Sequence, residues 1–480
     1  MLQVSQHKNC NAEFYILIYL VKINKEDDKV EKKISFKQYL VLASMLFGLF
    51  FGAGNLIFPI HMGQLAGRNY LIATLGFCAT GVGLPLLGII AMGISRSEGL
   101  FDMAKKVGTG FSYFFTIALY LTIGPLFAIP RCATVSYQVG VSALVGEEYE
   151  KIALFIFSLV FFIFVLFFAL RPSGIMTWIG KVLNPIFLLF LGIIIAAVLL
   201  KPMGDFSLIM PSAEYADHGF IKGMLEGYNT MDALASLAFG IILIESIKRL
   251  GVKDASKISL TTMKAGIITV VLMAVIYILI TYVGAQSVES ISVLGDGGTI
   301  FYYVSHHYFG AIGSLILGIT ITFACLKTAI GLITACGETF SEILPFKISY
   351  KAYAIGFCVF SFAIANVGLE KLIAISVPVL IFLYPITIAL IALCIAGPLY
   401  NFSKKIMLPT IVMTVIASVF ELILALPKEI QAVLPFWEIK SAIYKKLPLA
   451  DVGMGWVSLC IAGAVIGCVL YKLQRSDKAK

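Results

Sequence analysis

The chain has 480 residues, 60% of them hydrophobic and only 13% charged, with a formal net charge of +9. A water-soluble globular chain carries about 25% charged residues, so this one cannot cover a surface in water, and the same balance excludes a disordered chain. An all-α polytopic membrane protein is the class that remains.

The first 35 residues differ in kind from the rest. Phe14–Val21 is apolar but too short to span, and the charged run Lys25–Lys29 follows it without a small-residue cleavage site. They read as an N-terminal cytoplasmic tail and not as a signal peptide. Beyond it lie about 12 apolar runs of spanning length, at roughly 38–62, 71–95, 111–141, 152–170, 177–200, 225–247, 262–287, 309–335, 352–368, 372–398, 407–426 and 451–471. Most of the 36 basic residues fall on one side when the N-terminus is placed inside, which puts both termini in the cytoplasm. They cluster between apolar runs, so no nucleic-acid partner is expected. Trp178, Trp437 and Trp456 sit at run ends, as interfacial anchors do. The nine cysteines include no CxxC pair and read as small buried hydrophobes.

Two runs break the pattern. The first contains Gly48-Leu49-Phe50-Phe51-Gly52-Ala53-Gly54-Asn55 and then Pro59. The sixth contains Asp232 and then Ser236-Leu237-Ala238-Phe239-Gly240. Each interior glycine costs ~1 kcal/mol relative to alanine. If runs 1–5 and 6–10 are two repeats, the breaks are in corresponding positions, as in secondary transporters whose helices 1 and 6 unwind at the membrane midplane. The competing reading is close helix packing through small residues. An unwound helix offers N–H groups to a carboxylate and carbonyls to a small cation, which fits a zwitterionic amino acid travelling with an ion. Phe50, Phe51, Leu237 and Phe239 would line such a site and favour a large apolar side chain.

Several polar residues lie at membrane depth. Asp232 is one helical turn before Ser236; it could relay protons or hold an ammonium group, or be a wetted carboxylate at the outer end. Arg131 reads as an outer-gate residue or as an arginine snorkelling to water. Tyr137 and Gln138, on the same run, could line a vestibule. His61, His306 and His307 read as loop or interface residues.

The stretches FGAGNLIFP (51–59), GPLFAIPRCATVSYQVG (124–140), GYNTMDALASLAFGIILI (227–244), ISVPVLIFLYP (375–385) and LPLADVGMGW (447–456) resemble the bacterial branched-chain amino acid:cation symporters, the LIVCS family. The resemblance runs from about residue 36 to the C-terminus. It implies the leucine-transporter fold: a 5+5 inverted repeat in residues 36–398 (repeats about 36–200 and 219–398), with two additional helices and a cytoplasmic C-terminus in 399–480. It implies import of leucine, isoleucine and valine across the inner membrane on a Na+ or H+ gradient, without ATP or a bound cofactor. By the same resemblance Phe51, Gly52, Ala53, Gly54, Ser236, Leu237 and Phe239 would bind substrate. The carbonyls of Gly48, Phe51 and Ala324 with the Thr328 hydroxyl would hold Na+. Read from the residues themselves, Asn55, Asp232, Lys327 and Thr328 are the candidates for ion coupling.

The sequence departs from sodium-coupled leucine transporters at Lys327, where they place a hydroxyl, and at Leu234, where they place a threonine. A lysine mid-helix costs ~2.5–3.5 kcal/mol on insertion scales. Its ammonium could replace the sodium ion against the carbonyls of the broken first helix and carry the coupling proton, or it could face a wet cytoplasmic cavity. A passive facilitator or channel remains the alternative function, although no filter motif or continuous polar stripe is present. A membrane enzyme would need a clustered acid, base or nucleophile, and none is found.

Overall fold

A computed structural model describes residues 34–170, 184–252, 254–346, 348–426, 431 and 437–477. Trp178, most of the N-terminal tail and the start of the 177–200 run lie outside these. Among the described residues all regular structure is helical, with no strand. Eight helical stretches are long and apolar enough to cross a membrane, and three shorter apolar helices accompany them.

The first run is two helices, α1 (Phe36–Phe50) and α2 (Gly54–Ala66). Ser35 and Gln38 close the start of α1 as a reciprocal capping box. The second run is α3 (Tyr70–Cys78) and α4 (Leu84–Ile94), joined by a widened turn at Ala79–Gly83. After the short α5 (Leu100–Lys105), the third run is α6 (Thr109–Leu121) and α7 (Ala128–Gly140), kinked at Gly124-Pro125. Pro125 cannot donate a ladder bond, and Gly124 takes up a non-helical conformation beside it. Then come α8 (Glu150–Ala169) and α9 (Asn184–Leu200).

The predicted 225–247 run is divided between α10 (Ala213–Tyr228) and α11 (Asp232–Arg249). The break therefore falls at Asn229–Met231. Ser236–Gly240, expected to be the unwound stretch, is helical. Small residues marked the right neighbourhood, but the chain turns where Met231 takes a left-handed conformation (φ 65°). The series continues with α12 (Ala255–Ile291), α13 (Gly297–Ile343), α14 (Tyr350–Ala365) and α15 (Leu369–Ala396). It ends with α16 (Lys404–Leu424), α17 (Trp437–Tyr444) and α18 (Trp456–Asp477). Gly310 (φ 59°) interrupts α13, which begins twelve residues before the predicted 309–335 run.

Helix α8 turns Ile152, Phe155, Ile156, Leu159, Ile163 and Phe164 outward. Only an apolar solvent accommodates such a face. Inside, helices pair across the halves of the chain: α2 with α12, α10 with α3, α7 with α13, and α8 with α14. Three of these crossings bring backbones into contact: α7 meets α13 where a Cβ on Gly318 would lie 2.5 Å from Gly140 Cα, and two more meet at paired carbonyls. A Cβ on Gly63 would lie 2.1 Å from the Thr281 carbonyl oxygen, and one on Gly284 2.0 Å from that of Ile60. At the other crossing, a Cβ on Gly76 or Gly223 would lie 1.9 Å or 2.0 Å from the carbonyl of Phe220 or Ala73. The last helices are pinned by Glu421, whose Oε1 accepts from the Tyr444 hydroxyl at 2.8 Å and the Gly455 N–H at 3.1 Å. Trp456 is buried there and is not an exposed anchor.

No rotamer relieves a clash that begins at Cβ, so Gly284→Leu must push α2 and α12 apart. We expect a loss of about 1–3 kcal/mol, read as a lower thermal unfolding midpoint of the purified protein in detergent. An unchanged midpoint would show that the two backbones are not in contact.

Candidate functional site

The two helix breaks face each other. At the first, Gly52 N–H donates to Asn55 Oδ1 at 2.8 Å instead of continuing the α1 ladder. The last carbonyls of α1 and the first N–H groups of α2 are left without intrahelical partners. At the second, the Met231 turn ends α10, and α11 starts at Asp232. A left-handed conformation at a non-glycine residue costs of order 1–3 kcal/mol and needs its surroundings to hold it.

The hold is a buried polar cluster. Asn55 Nδ2 donates to Asp232 Oδ2 and to the Tyr277 hydroxyl, each at 2.5 Å, and that hydroxyl donates to Asp232 Oδ2 at 3.3 Å. Asp232 and Tyr277 are 2% and 0% exposed. One asparagine thus closes its own break and fastens it to the start of α11. The Tyr277 ring packs edge-on against Phe77 and beside Phe51.

A cavity of about 30 Å³ lies between the breaks. It is far smaller than the ~150 Å³ that accepts a benzene ring, so helices must part to admit anything larger than water. The first break contributes Leu49, Phe50, Gly52, Ala53, Gly54 and Asn55, and the second Thr230, Met231, Asp232, Ala235 and Phe239. Helix α7 and the turn before it add Ile123, Ala128, Arg131 and Cys132, while α13 adds Thr328 and Leu332. The charged members are one cation, Arg131, and one anion, Asp232.

Arg131 therefore does not snorkel out to water. It is 5% exposed, and its Nη1 and Nη2 donate to the carbonyls of Asn229 (2.6 Å) and Thr230 (3.3 Å) at the end of α10. A cation at the carbonyl end of a helix offsets its dipole. Asp232 is likewise not a wetted outer carboxylate. Of the other expected residues, the Phe51 ring stacks on Phe47 and meets Phe187, away from the cavity. Ser236 and Leu237 point at Gly88 on α4. Thr328 Oγ1 donates to the Ala324 carbonyl at 3.2 Å and would lie 3.3 Å from a Cβ on Gly52. Gly48 is buried on the last turn of α1. Lys327, beside Thr328, is 8% exposed.

Tyr137 bonds the Glu150 carbonyl, and Gln138 bonds the Thr299 hydroxyl, both outside the cavity. His61 lines a second cavity of about 330 Å³, with Phe58, Asn229 and Asp296. His306 and His307 are exposed beside Tyr302 and Tyr308. Sequence reasoning missed Thr230 and Met231, although Asn-Thr-Met-Asp is a polar interruption of an apolar run. It also missed Tyr277, for which a hydroxyl on a long apolar helix gives no signal.

A family model described as "Branched-chain amino acid transport protein" matches residues 35–474. The chain is 47% identical over 430 residues to the branched-chain amino acid permease BrnQ of Lactobacillus delbrueckii subsp. lactis, covering 89% of this chain and 95% of that one. Among solved structures it is similar to Mhp1, a nucleobase-cation-symport-1 family transporter with bromovinylhydantoin bound (TM-score 0.55, 13% identity, 89% and 91% of the two chains). It is also similar to MhsT in complex with L-phenylalanine (TM-score 0.51, 16% identity, 92% and 99%). Both have the leucine-transporter fold, and at such identities the likeness concerns the fold alone.

The cluster makes a graded prediction. Tyr277→Phe removes one donor and should cost about 1 kcal/mol. Asp232→Ala leaves the Asn55 amide and the Tyr277 hydroxyl without their buried acceptor, and should cost about 1–3 kcal/mol. Thermal unfolding of the purified variants reads both. Equal, negligible costs would mean that the cluster does not hold the breaks together.

Proposed function

The chain belongs to the branched-chain amino acid transport protein family, and from that premise we propose that it is a secondary active symporter. It imports leucine, isoleucine and valine with a cation, Na+ or H+, by alternating access, and needs no ATP or bound cofactor. In this reading it lies in the bacterial cytoplasmic membrane with both termini inside, as a 5+5 inverted repeat with two added helices. Its helices 1 and 6 are unwound at the midplane, at Phe51–Ala53 and Asn229–Met231.

The observation that carries the reading is the cavity between the breaks. It holds one buried guanidinium and one buried carboxylate among walls that include Phe50, Ile123, Phe239 and Leu332. That is the complement of a zwitterion with an apolar side chain. The small cavity supports alternating access, because the helices must move before an amino acid can enter or leave. The pairing of α2 with α12, α10 with α3, α7 with α13 and α8 with α14 supports the repeat: exchanging the two halves maps each pair onto itself or onto another pair. Relatives are named permeases and carriers, and the protein is not an enzyme.

Uptake into proteoliposomes tests the reading. Leucine should accumulate when an inward Na+ or H+ gradient is imposed, and isoleucine and valine should compete with it at comparable concentrations. Lysine and glutamate should not. Equilibration without accumulation would make the protein a facilitator instead, and competition by charged amino acids would overturn the pocket.

Coupling is assigned to Lys327. Its ammonium takes the place of a sodium ion against the carbonyls that end α1, and a proton is the coupling ion. Its burial on α13, the helix that lines the cavity through Thr328 and Leu332, supports this. Native uptake should then be independent of sodium, while Lys327→Thr should gain sodium dependence or lose transport. Strong sodium stimulation of the native protein would overturn the assignment.

A further inference from the structure

We infer that Arg131 receives the carboxylate of the transported amino acid. The inference rests on the reading that the cavity between the breaks holds an amino acid, and it names the group that orients that substrate.

A guanidinium has five N–H donors. Nη1 and Nη2 are aimed at the Asn229 and Thr230 carbonyls, which are neutral acceptors. Nε is buried and has no hydrogen-bond partner. Nε–H belongs to the side-on edge of the guanidinium, one of the edges to which a carboxylate binds in two parallel bonds. No carboxylate of the described residues supplies them. The ion pairs of Lys222 with Glu214 and Glu226 do not involve Arg131, and Asp232, in the same cavity, is turned toward Asn55 and Tyr277. Asp232 in the same cavity offsets the charge without bonding to the guanidinium, and a buried N–H without an acceptor is costly; a substrate carboxylate would supply that acceptor on arrival.

Gly54 places the second anion-favouring element at the same point. A Cβ there would lie 2.9 Å from Nη2 and 3.3 Å from Thr230 Cα, so a side chain would push the guanidinium away from the start of α2. The first N–H groups of α2 lack intrahelical acceptors and carry the positive end of its dipole. The carboxylate would sit between the two, with the ammonium group toward Asp232 and the side chain toward Phe239 and Leu332.

Binding of leucine and of leucinamide to the purified protein tests the inference. The amide keeps the shape, the ammonium group and the side chain, and loses the negative charge. The wild type should prefer leucine by roughly 30-fold, the size expected for charge-assisted hydrogen bonds. Arg131→Gln keeps an amide donor for the α10 carbonyls, and should lose that preference while binding leucinamide as the wild type does. A wild type that holds both ligands equally overturns the inference, whether or not the variant folds. So does a variant in which both affinities fall in parallel, because Arg131 would then only cap α10. A wild type that takes up no leucine overturns the amino acid reading itself, and the inference with it.

Discussion

Two interrupted helices can meet inside a membrane only if their free ends are tied to something. The Asn55–Asp232–Tyr277 cluster is that tie, and the geometry around it follows. Asn55 takes the Gly52 N–H out of the α1 ladder, and its other atom reaches the first residue of α11. Tyr277 brings α12 to the same point, and α12 also crosses α1 and α2. Breaking a helix exposes backbone groups that lipid cannot satisfy. Here each exposed end faces either a polar side chain or the enclosed cavity.

The electrostatics follow from the same arrangement. Each break presents one carbonyl end and one N–H end, so the cavity receives two partial negative and two partial positive poles. Arg131 covers the carbonyl end of α10, and Asp232 sits at the N-terminal end of α11, where an anion is favoured. The fixed charges are thus matched in number, and the site is neutral as a whole.

Much of this was legible in the sequence. The class came from composition, the first break from Gly48 to Asn55, and most spans from apolar runs. Phe239, Gly52, Ala53, Gly54, Asn55, Asp232 and Thr328, all singled out in the sequence, line the cavity. What escaped has physical reasons. The second break is set by the backbone conformation of Met231, a residue with no special liking for it, so the small residues of 236–240 pointed one turn too far along. Arg131 looked like a snorkelling residue because its partners are main-chain carbonyls about a hundred positions away, and carbonyls leave no trace in a sequence. Phe51, Ser236 and Leu237 lie beside residues that do reach the cavity. A step of one residue turns a side chain by ~100° around a helix, and no periodicity was fixed across a break.

The glycine crossings carry a consequence for movement. Where α2 meets α12, and where α10 meets α3, main chain touches main chain at Gly63, Gly284, Gly76 and Gly223. An interlocked seam of large side chains must reshuffle its rotamers whenever one helix rolls on the other, and each locked rotamer carries an entropy cost. A crossing whose closest contacts are main chain on glycine has fewer of them to reshuffle. In the proposed transport cycle these two crossings would act as dry bearings, keeping each half-helix at a fixed distance from its partner while it rolls about the point of contact. A transport cycle needs that combination, an axle that does not drift and does not bind.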